Sequence, residues 1–269
     1  MIDPVSRSLL SSSDCHGPLA LMYHSVQPED GRPGWPWAVS LRNFERQLDL
    51  LKEFGWRTYT VRELARTRGE AGTRAIAITF DDGFADNLAA LDALNRRGMR
   101  ATWFVVTNSL GREPRWPDPG RPTGNILNSD NLKMLLQAGM EVGSHSHSHR
   151  RLPALDSKDL KQELTESRAK LEAALGEPIT SFAYPYGDWN TRCEAAVRSA
   201  GFGAACTTQT GRAFRDENPL RIRRLTIFNT DTPGRFARKL WLADNEGRWI
   251  TIARYFGRRA RLRLSLGDN

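Results

Sequence analysis

The sequence predicts an α/β chain folded as a single (β/α) barrel, and two observations carry that prediction. Short apolar strands alternate with amphipathic helices along most of the 269 residues, the pattern of a parallel sheet covered by helices. Polar residues suited to catalysis, namely His24, Asp81-Asp82, His145 and Tyr186, each fall just past the C-terminal end of a different expected strand. Barrel enzymes assemble their sites on that face. An open doubly wound sheet also fits the alternation, but it binds around one switch point, and several contributing strands suit a ring better.

Residues 1–18, with Pro4, Ser11 to Ser13 and Gly17-Pro18, read as a flexible N-terminal tail. The domain is expected over residues 19–247. Leu19 to Tyr23 is a buried strand ending at His24, and Ser40 caps a helix with Leu41, Phe44, Leu48 and Leu51 on one face. Arg57 to Thr60 is a strand, followed by a short helix through Leu64. Ala75 to Phe80 is the next buried strand, and Asp81-Asp82-Gly83 turns it into a helix ending at Gly98. Ala101 to Val106 is again a strand. The Gly/Pro-rich stretch from Gly111 to Gly124 is too long for a plain connector and is expected to border a substrate site. Ser129 caps a helix that Gly139 ends, and Met140 to Gly143 leads as a strand into the histidines. Asp156 starts a long helix to Leu175, Thr180 to Tyr184 is a strand, and Asn190 to Ala200 is a helix stopped by Gly201. Weaker strands lie near Gly203 to Cys206 and Leu225 to Phe228, with a helix from Pro233.

Charged residues make up 26% and hydrophobic residues 39%, ordinary globular values that exclude a disordered or fibrous chain. No apolar run approaches the roughly 18–20 residues that span a bilayer. Met1 to Leu21 lacks the basic start, apolar run and small-residue cleavage site of a secretory signal. The cysteines, Cys15, Cys193 and Cys206, form neither a disulfide framework nor a Cys-x-x-Cys pair. These features point to a cytoplasmic chain. Of the net charge of +8, most comes from six arginines between Arg248 and Arg263, in a basic C-terminal tail over residues 248–269. Within it Trp249, Ile252, Ala253, Phe256 and Ala260 recur at helical spacing, with Arg254, Arg258 and Arg261 away from them. Such a helix either lies on an anionic membrane, here the inner face, or packs its stripe on the barrel. No nucleic-acid partner is expected.

Two segments carry chemistry. Asp81-Asp82 places two carboxylates side by side where an apolar strand ends, which is costly unless a cation or hydrogen bonds compensate. Acids decorating a helix N-terminus would look the same. Ser144-His145-Ser146-His147-Ser148-His149 holds three of the five histidines directly after a strand. Imidazoles suit zinc and similar ions, and catalytic zinc commonly keeps three protein ligands with one position open for water.

The segment Thr79-Phe80-Asp81-Asp82-Gly83, followed downstream by His145-Ser146-x-x-His149, resembles the polysaccharide deacetylases, carbohydrate esterase family four. The resemblance runs from Leu19 to about Phe236. Met22-Tyr23-His24-Ser25-Val26 is similar to the branch of biofilm poly-N-acetylglucosamine deacetylases. The resemblance implies a deformed (β/α) barrel and hydrolysis of the acetamide of an N-acetylated carbohydrate. It implies one divalent metal ion, zinc, held by Asp82, His145 and His149, with Asp81 as general base. Phe182 to Gly187 resembles a third motif whose tyrosine amide, here Tyr186, helps bind the oxyanion, and Tyr184, Pro185 and Trp116 are placed at the substrate. His147 is expected to face away, or to bind substrate or water. Two positions depart from the family pattern. Many relatives carry an arginine where this chain has Ala183, so Arg223 or Arg224 must orient the base, and Arg224 matches the branch better. No late Leu-x-x-His supplies the usual acid; His24, on the first strand and so beside the last in a closed barrel, is either the acid in its place or a core histidine satisfied by backbone. The competing readings are a deacetylase of an O-acetyl or non-sugar substrate, and a non-catalytic carbohydrate-binding relative.

Overall fold

A computed structural model of the protein describes residues 2–12, 17–28, 33–67 and 72–255. Helix α1 (Pro4–Ser11) precedes strands β1 (Leu19–Tyr23), β2 (Ser25–Gln27) and β3 (Ala38–Ser40). Then come α2 (Leu41–Glu53), β4 (Arg57–Tyr59), α3 (Val61–Thr67), β5 (Ala75–Phe80), α4 (Leu88–Asn95) and β6 (Thr102–Val105). The chain continues through α5 (Ser129–Gln137), β7 (Glu141–Ser144), α6 (Ser157–Leu175), β8 (Ser181–Ala183) and α7 (Thr191–Ser199). It ends with β9 (Ala204–Cys206), β10 (Leu225–Thr226) and α8 (Pro233–Leu242).

Strands β10-β1-β5-β6-β7-β8-β9 run side by side, and all their pairings are parallel. The start of β5 also pairs with β4, through Arg57 and Ala75, while its end pairs with β6, through Thr79 and Thr102. Every residue of β1, β5, β6 and β7 is buried, as a parallel sheet covered on both faces requires. The short segment from Ile222 to Thr226 curls the sheet towards closure. Ile222 bridges to Cys206 on β9, and Leu225 and Thr226 pair with Leu21 and Met22 on β1. This is the deformed barrel expected from the sequence, and it brings the ends of the first and last strands together.

Three local expectations change. The loose tail is corrected, because residues 4–11 form a helix. The Asp3 side chain accepts from Ser6 N–H at 2.9 Å, and Pro4 pre-sets the first turn. Leu10 is buried, and Arg238 of α8 donates to Ser6 Oγ at 2.8 Å. The cap of α5 is Asn128, not Ser129, in a reciprocal box with Asn131 at 2.9 and 3.1 Å. Strands β2 and β3 went unread because three residues apiece are too short to show a period.

The C-terminal segment is helical over residues 249–255, and its described part packs on the protein. Ile252 is buried, Tyr255 lies edge-on to Trp241 at 4.8 Å, and Arg238 covers the Trp249 ring at 4.3 Å. Phe256, Ala260 and the arginines from Arg258 to Arg263 lie outside the described residues. No helix among the described residues is long and apolar enough to cross a membrane.

Two buried acids show how the frame holds the rim. Glu141 accepts from Arg62 N–H, Thr102 Oγ and Ser181 Oγ at 3.0, 2.8 and 2.7 Å, a satisfied structural carboxylate at the start of β7. At the other end, the turn after Asp82 clamps the end of β1. Asn87 donates to the His24 carbonyl at 2.7 Å and accepts from Val26 N–H at 2.8 Å, while Ser25 Oγ donates to Asp86 at 2.5 Å. Burial pushes the Asp86 carboxyl up to about 6.

Candidate active site

Strand β5 delivers both acids to the rim, and the turn after it sends them to different partners. Asp82 adopts φ 68° and Gly83 φ 84°. A side chain at Gly83 would be strained there and would place its Cβ 2.8 Å from the Val105 side chain.

Asp81 is 2% exposed and gripped by the wholly buried Arg224. Nη1 and Nη2 of Arg224 donate to its two oxygens at 2.6 and 2.7 Å, a bidentate pair. The guanidinium is itself oriented, with Nε donating to the Thr207 carbonyl and Nη1 to Thr79 Oγ, both at 2.9 Å. Burial raises the Asp81 carboxyl, but the charge and hydrogen bonds of Arg224, together with the His145 and His24 imidazoles, outweigh that, and the group is held below its ordinary value. Of the two candidate arginines, Arg223 is engaged elsewhere, with Asp216 at 2.7 and 2.9 Å.

Asp82 centres a second group. Its Oδ1 lies 3.5 Å from His145 Nε2 and 3.3 Å from His149 Nε2, and the three donor atoms lie within 4.8 Å of one another. Burial raises this carboxyl too, yet the flanking imidazoles hold it well below the carboxylate range. The residues fit a divalent ion. A tetrahedral site with bonds of about 2.0–2.2 Å has ligand edges of about 3.3–3.6 Å. His145 Nδ1 donates to the Ala183 carbonyl at 2.9 Å, which leaves the Nε2 lone pair facing Asp82. Asp82 Oδ1 is buried and accepts no hydrogen bond among the described residues, a costly state for a carboxylate without a cation. His147 turns away, its Nδ1 3.0 Å from Thr107 Oγ and its Nε2 facing Glu166.

A cavity of about 420 Å³ opens over both groups, lined among others by His24, Trp37, Asp81, Asp82, His145, His149, Asp118 and Tyr186. His24 is half-buried against the Trp35 and Trp37 rings, at 5.9 and 5.4 Å. Burial lowers its imidazole below the ordinary value, against the opposing pull of Asp82 and Asp81. Tyr186 adopts φ 58°, and its exposed ring lies 4.5 Å from His149 with the Arg151 guanidinium 4.2 Å above it. The residues 117–119 reach the cavity from the long loop, which therefore borders the site as expected.

None of the three residues expected at the substrate lines this cavity. Tyr184 is fully buried between Phe182 and Trp189, and Pro185 is buried beneath the turn; neither lines the cavity. Trp116 is 5% exposed and backs His149 at 4.7 Å, bordering an adjoining cavity of about 540 Å³ instead. Sequence reasoning missed Trp37, 38% exposed on the cavity wall, because it lies in an aperiodic loop.

A family model for polysaccharide deacetylase matches residues 68–205, a span containing both acids and all three clustered histidines. The chain belongs to the polysaccharide deacetylase family. His24 and Arg224 lie outside the matched span. YxkH of Bacillus subtilis, which carries the same family name, is 28% identical over 211 residues, covering 77% of this chain and 70% of that protein. The peptidoglycan-N-acetylglucosamine deacetylase PgdA of Listeria monocytogenes is 29% identical over 119 residues, 44% of this chain but only 22% of PgdA. The solved structure of IcaB from Ammonifex degensii superposes with a TM-score of 0.67 at 24% identity, covering 85% of this chain and 97% of that one, and so shares the fold.

Proposed function

We propose that this polysaccharide deacetylase hydrolyses the acetamide of an N-acetylated sugar, releasing acetate and a free amine, with Asp81 as the base. The observation that carries the reading is one cavity holding an Arg224-oriented carboxylate beside the converging Asp82, His145 and His149. The name of PgdA supports an N-acetylglucosamine unit as substrate. Trp37 offers an exposed aromatic surface in the same cavity, suited to the C–H face of a sugar ring.

Asp82, His145 and His149 would hold the divalent ion, for which we propose zinc. When bound there it supplies Lewis acidity, lowering the pKa of water and polarising the acetyl carbonyl. Asp81 takes the proton of the attacking water while Arg224 keeps its carboxylate ionised and aimed. The Tyr186 N–H stabilises the oxyanion. His24 gives a proton to the leaving nitrogen as the C–N bond breaks.

Acetate release from short N-acetylglucosamine oligomers, measured with and without a chelator, tests the reading. Release is expected only in untreated or zinc-restored protein; a chelator-insensitive rate would remove the metal from the mechanism. Absence of release from these oligomers, with release from an O-acetyl ester, would shift the substrate class. His24 is tested separately with His24→Ala. An amide leaving group needs a proton and an activated aryl acetate does not, so the variant should lose about 10²-fold or more on the amide and little on the ester. Equal losses on both would take the acid role from His24.

A further inference from the structure

The loop that carries His149 is not held by the barrel strands alone. Ser146 and His149 both adopt left-handed backbone, with φ 66° and 62°, a conformation that costs a non-glycine residue energy and persists only where surroundings impose it. What surrounds this loop is one face of α6. Glu163, 5% exposed, accepts from His147 N–H at 3.0 Å and Ser148 N–H at 2.8 Å through Oε2, and from Ser148 Oγ through Oε1. Four residues on, the same face presents Ser167, whose Oγ accepts from Ser144 Oγ at 2.8 Å. From the opposite side Asn108 N–H donates to the His147 carbonyl at 2.8 Å, so both polar groups of that residue's backbone are tied.

The three hydrogen bonds that the Glu163 carboxylate accepts come from residues 147–148, and no ion pair to it occurs among the described residues. A carboxylate taken out of water for no cation is costly unless the hydrogen bonds it accepts compensate, and those bonds hold this loop. We propose that Glu163 is a positioning residue that locks the 146–149 turn in its left-handed form, so that His149 presents Nε2 to Asp82 before the ion arrives. This rests on reading Asp82, His145 and His149 as the metal group. It assigns Glu163 no contact with substrate.

The test measures zinc affinity by competition with a chromophoric chelator, with no turnover involved. Glu163→Gln keeps the volume but replaces the charged acceptor of both loop N–H groups by a neutral amide oxygen, and zinc affinity should fall about tenfold, the lower end of outer-partner losses at metal sites. Glu166→Gln, which alters an exposed partner of the His147 and Gln162 side chains, should leave affinity within about twofold. Should Glu163→Gln fail to fold, Ser148→Ala removes one of the three bonds and should still weaken zinc binding severalfold. Wild-type affinity in a folded Glu163→Gln, or in Ser148→Ala where that variant must stand in, overturns the proposal. Wild-type protein that binds no zinc overturns the metal reading instead, so the two failures are distinguishable.

Discussion

Asp81→Asn should lower the rate of acetate release by about 10³-fold or more while zinc remains bound. General-base catalysis is worth about 10²–10⁴-fold, and an amide oxygen is too weak a base to take the proton of water. Zinc is retained because Asp81 points to Arg224 and leaves the converging set of Asp82, His145 and His149 intact. Paired assays of zinc content and acetate release decide the matter. A variant with zinc bound and activity within tenfold of the parent would show that another group takes the proton.

The second large effect is expected at Arg224. Arg224→Met strips a buried carboxylate of both its charged hydrogen bonds, and breaking one side of a buried pair costs about 3–5 kcal/mol. At roughly 2–4 °C per kcal/mol for a domain of this size, the Tm should drop by about 6–20 °C. Activity measured well below that Tm should fall as well, because Asp81 loses both its orientation and the partner that keeps it ionised. Arg224→Met combined with Asp81→Asn should be no less stable than Arg224→Met alone, since the neutral side chain no longer pays for isolation. A double variant that is markedly less stable would mean that Arg224 acts mainly through Thr207 and Thr79.

Arg224 also resolves the departure at Ala183. The methyl group of Ala183 belongs to the same buried cluster as Phe104, and the Arg224 guanidinium lies 5.8 Å over the Phe104 ring. The arginine that many relatives place on the eighth strand is supplied here from the segment that curls the barrel shut. A non-catalytic reading drew its force from that residue and from the missing late histidine, and the bidentate pair gives Asp81 an arginine partner despite the first. The same closure pairs β10 with β1 and sets His24, at the end of β1, on the cavity wall, where we propose that it stands in for the missing late histidine.

Much of the fold was legible in the sequence for simple reasons. The strands Leu19–Tyr23 and Ala75–Phe80 are continuous apolar runs bounded by polar residues, and a buried parallel strand has to read that way. Asp82, His145 and His149 were legible because one turn and one loop of the chain carry them at strand ends, so local order already implied a shared rim. The helix over residues 4–11 and the burial of Tyr184 and Pro185 were not legible, because each depends on which distant surface covers the segment. The choice of Arg224 over Arg223 rested on the resemblance alone. Neighbouring arginines have the same chemistry, and alternation of side chains along the backbone sends one to Asp216 and the other into the barrel. By itself the sequence determined the barrel and its acids and imidazoles, because burial period and strand ends are local properties. Only the tertiary structure decided the bidentate grip of Arg224 on Asp81 and the bonds of Glu163 to the histidine loop, because both run across contacts that no local pattern encodes.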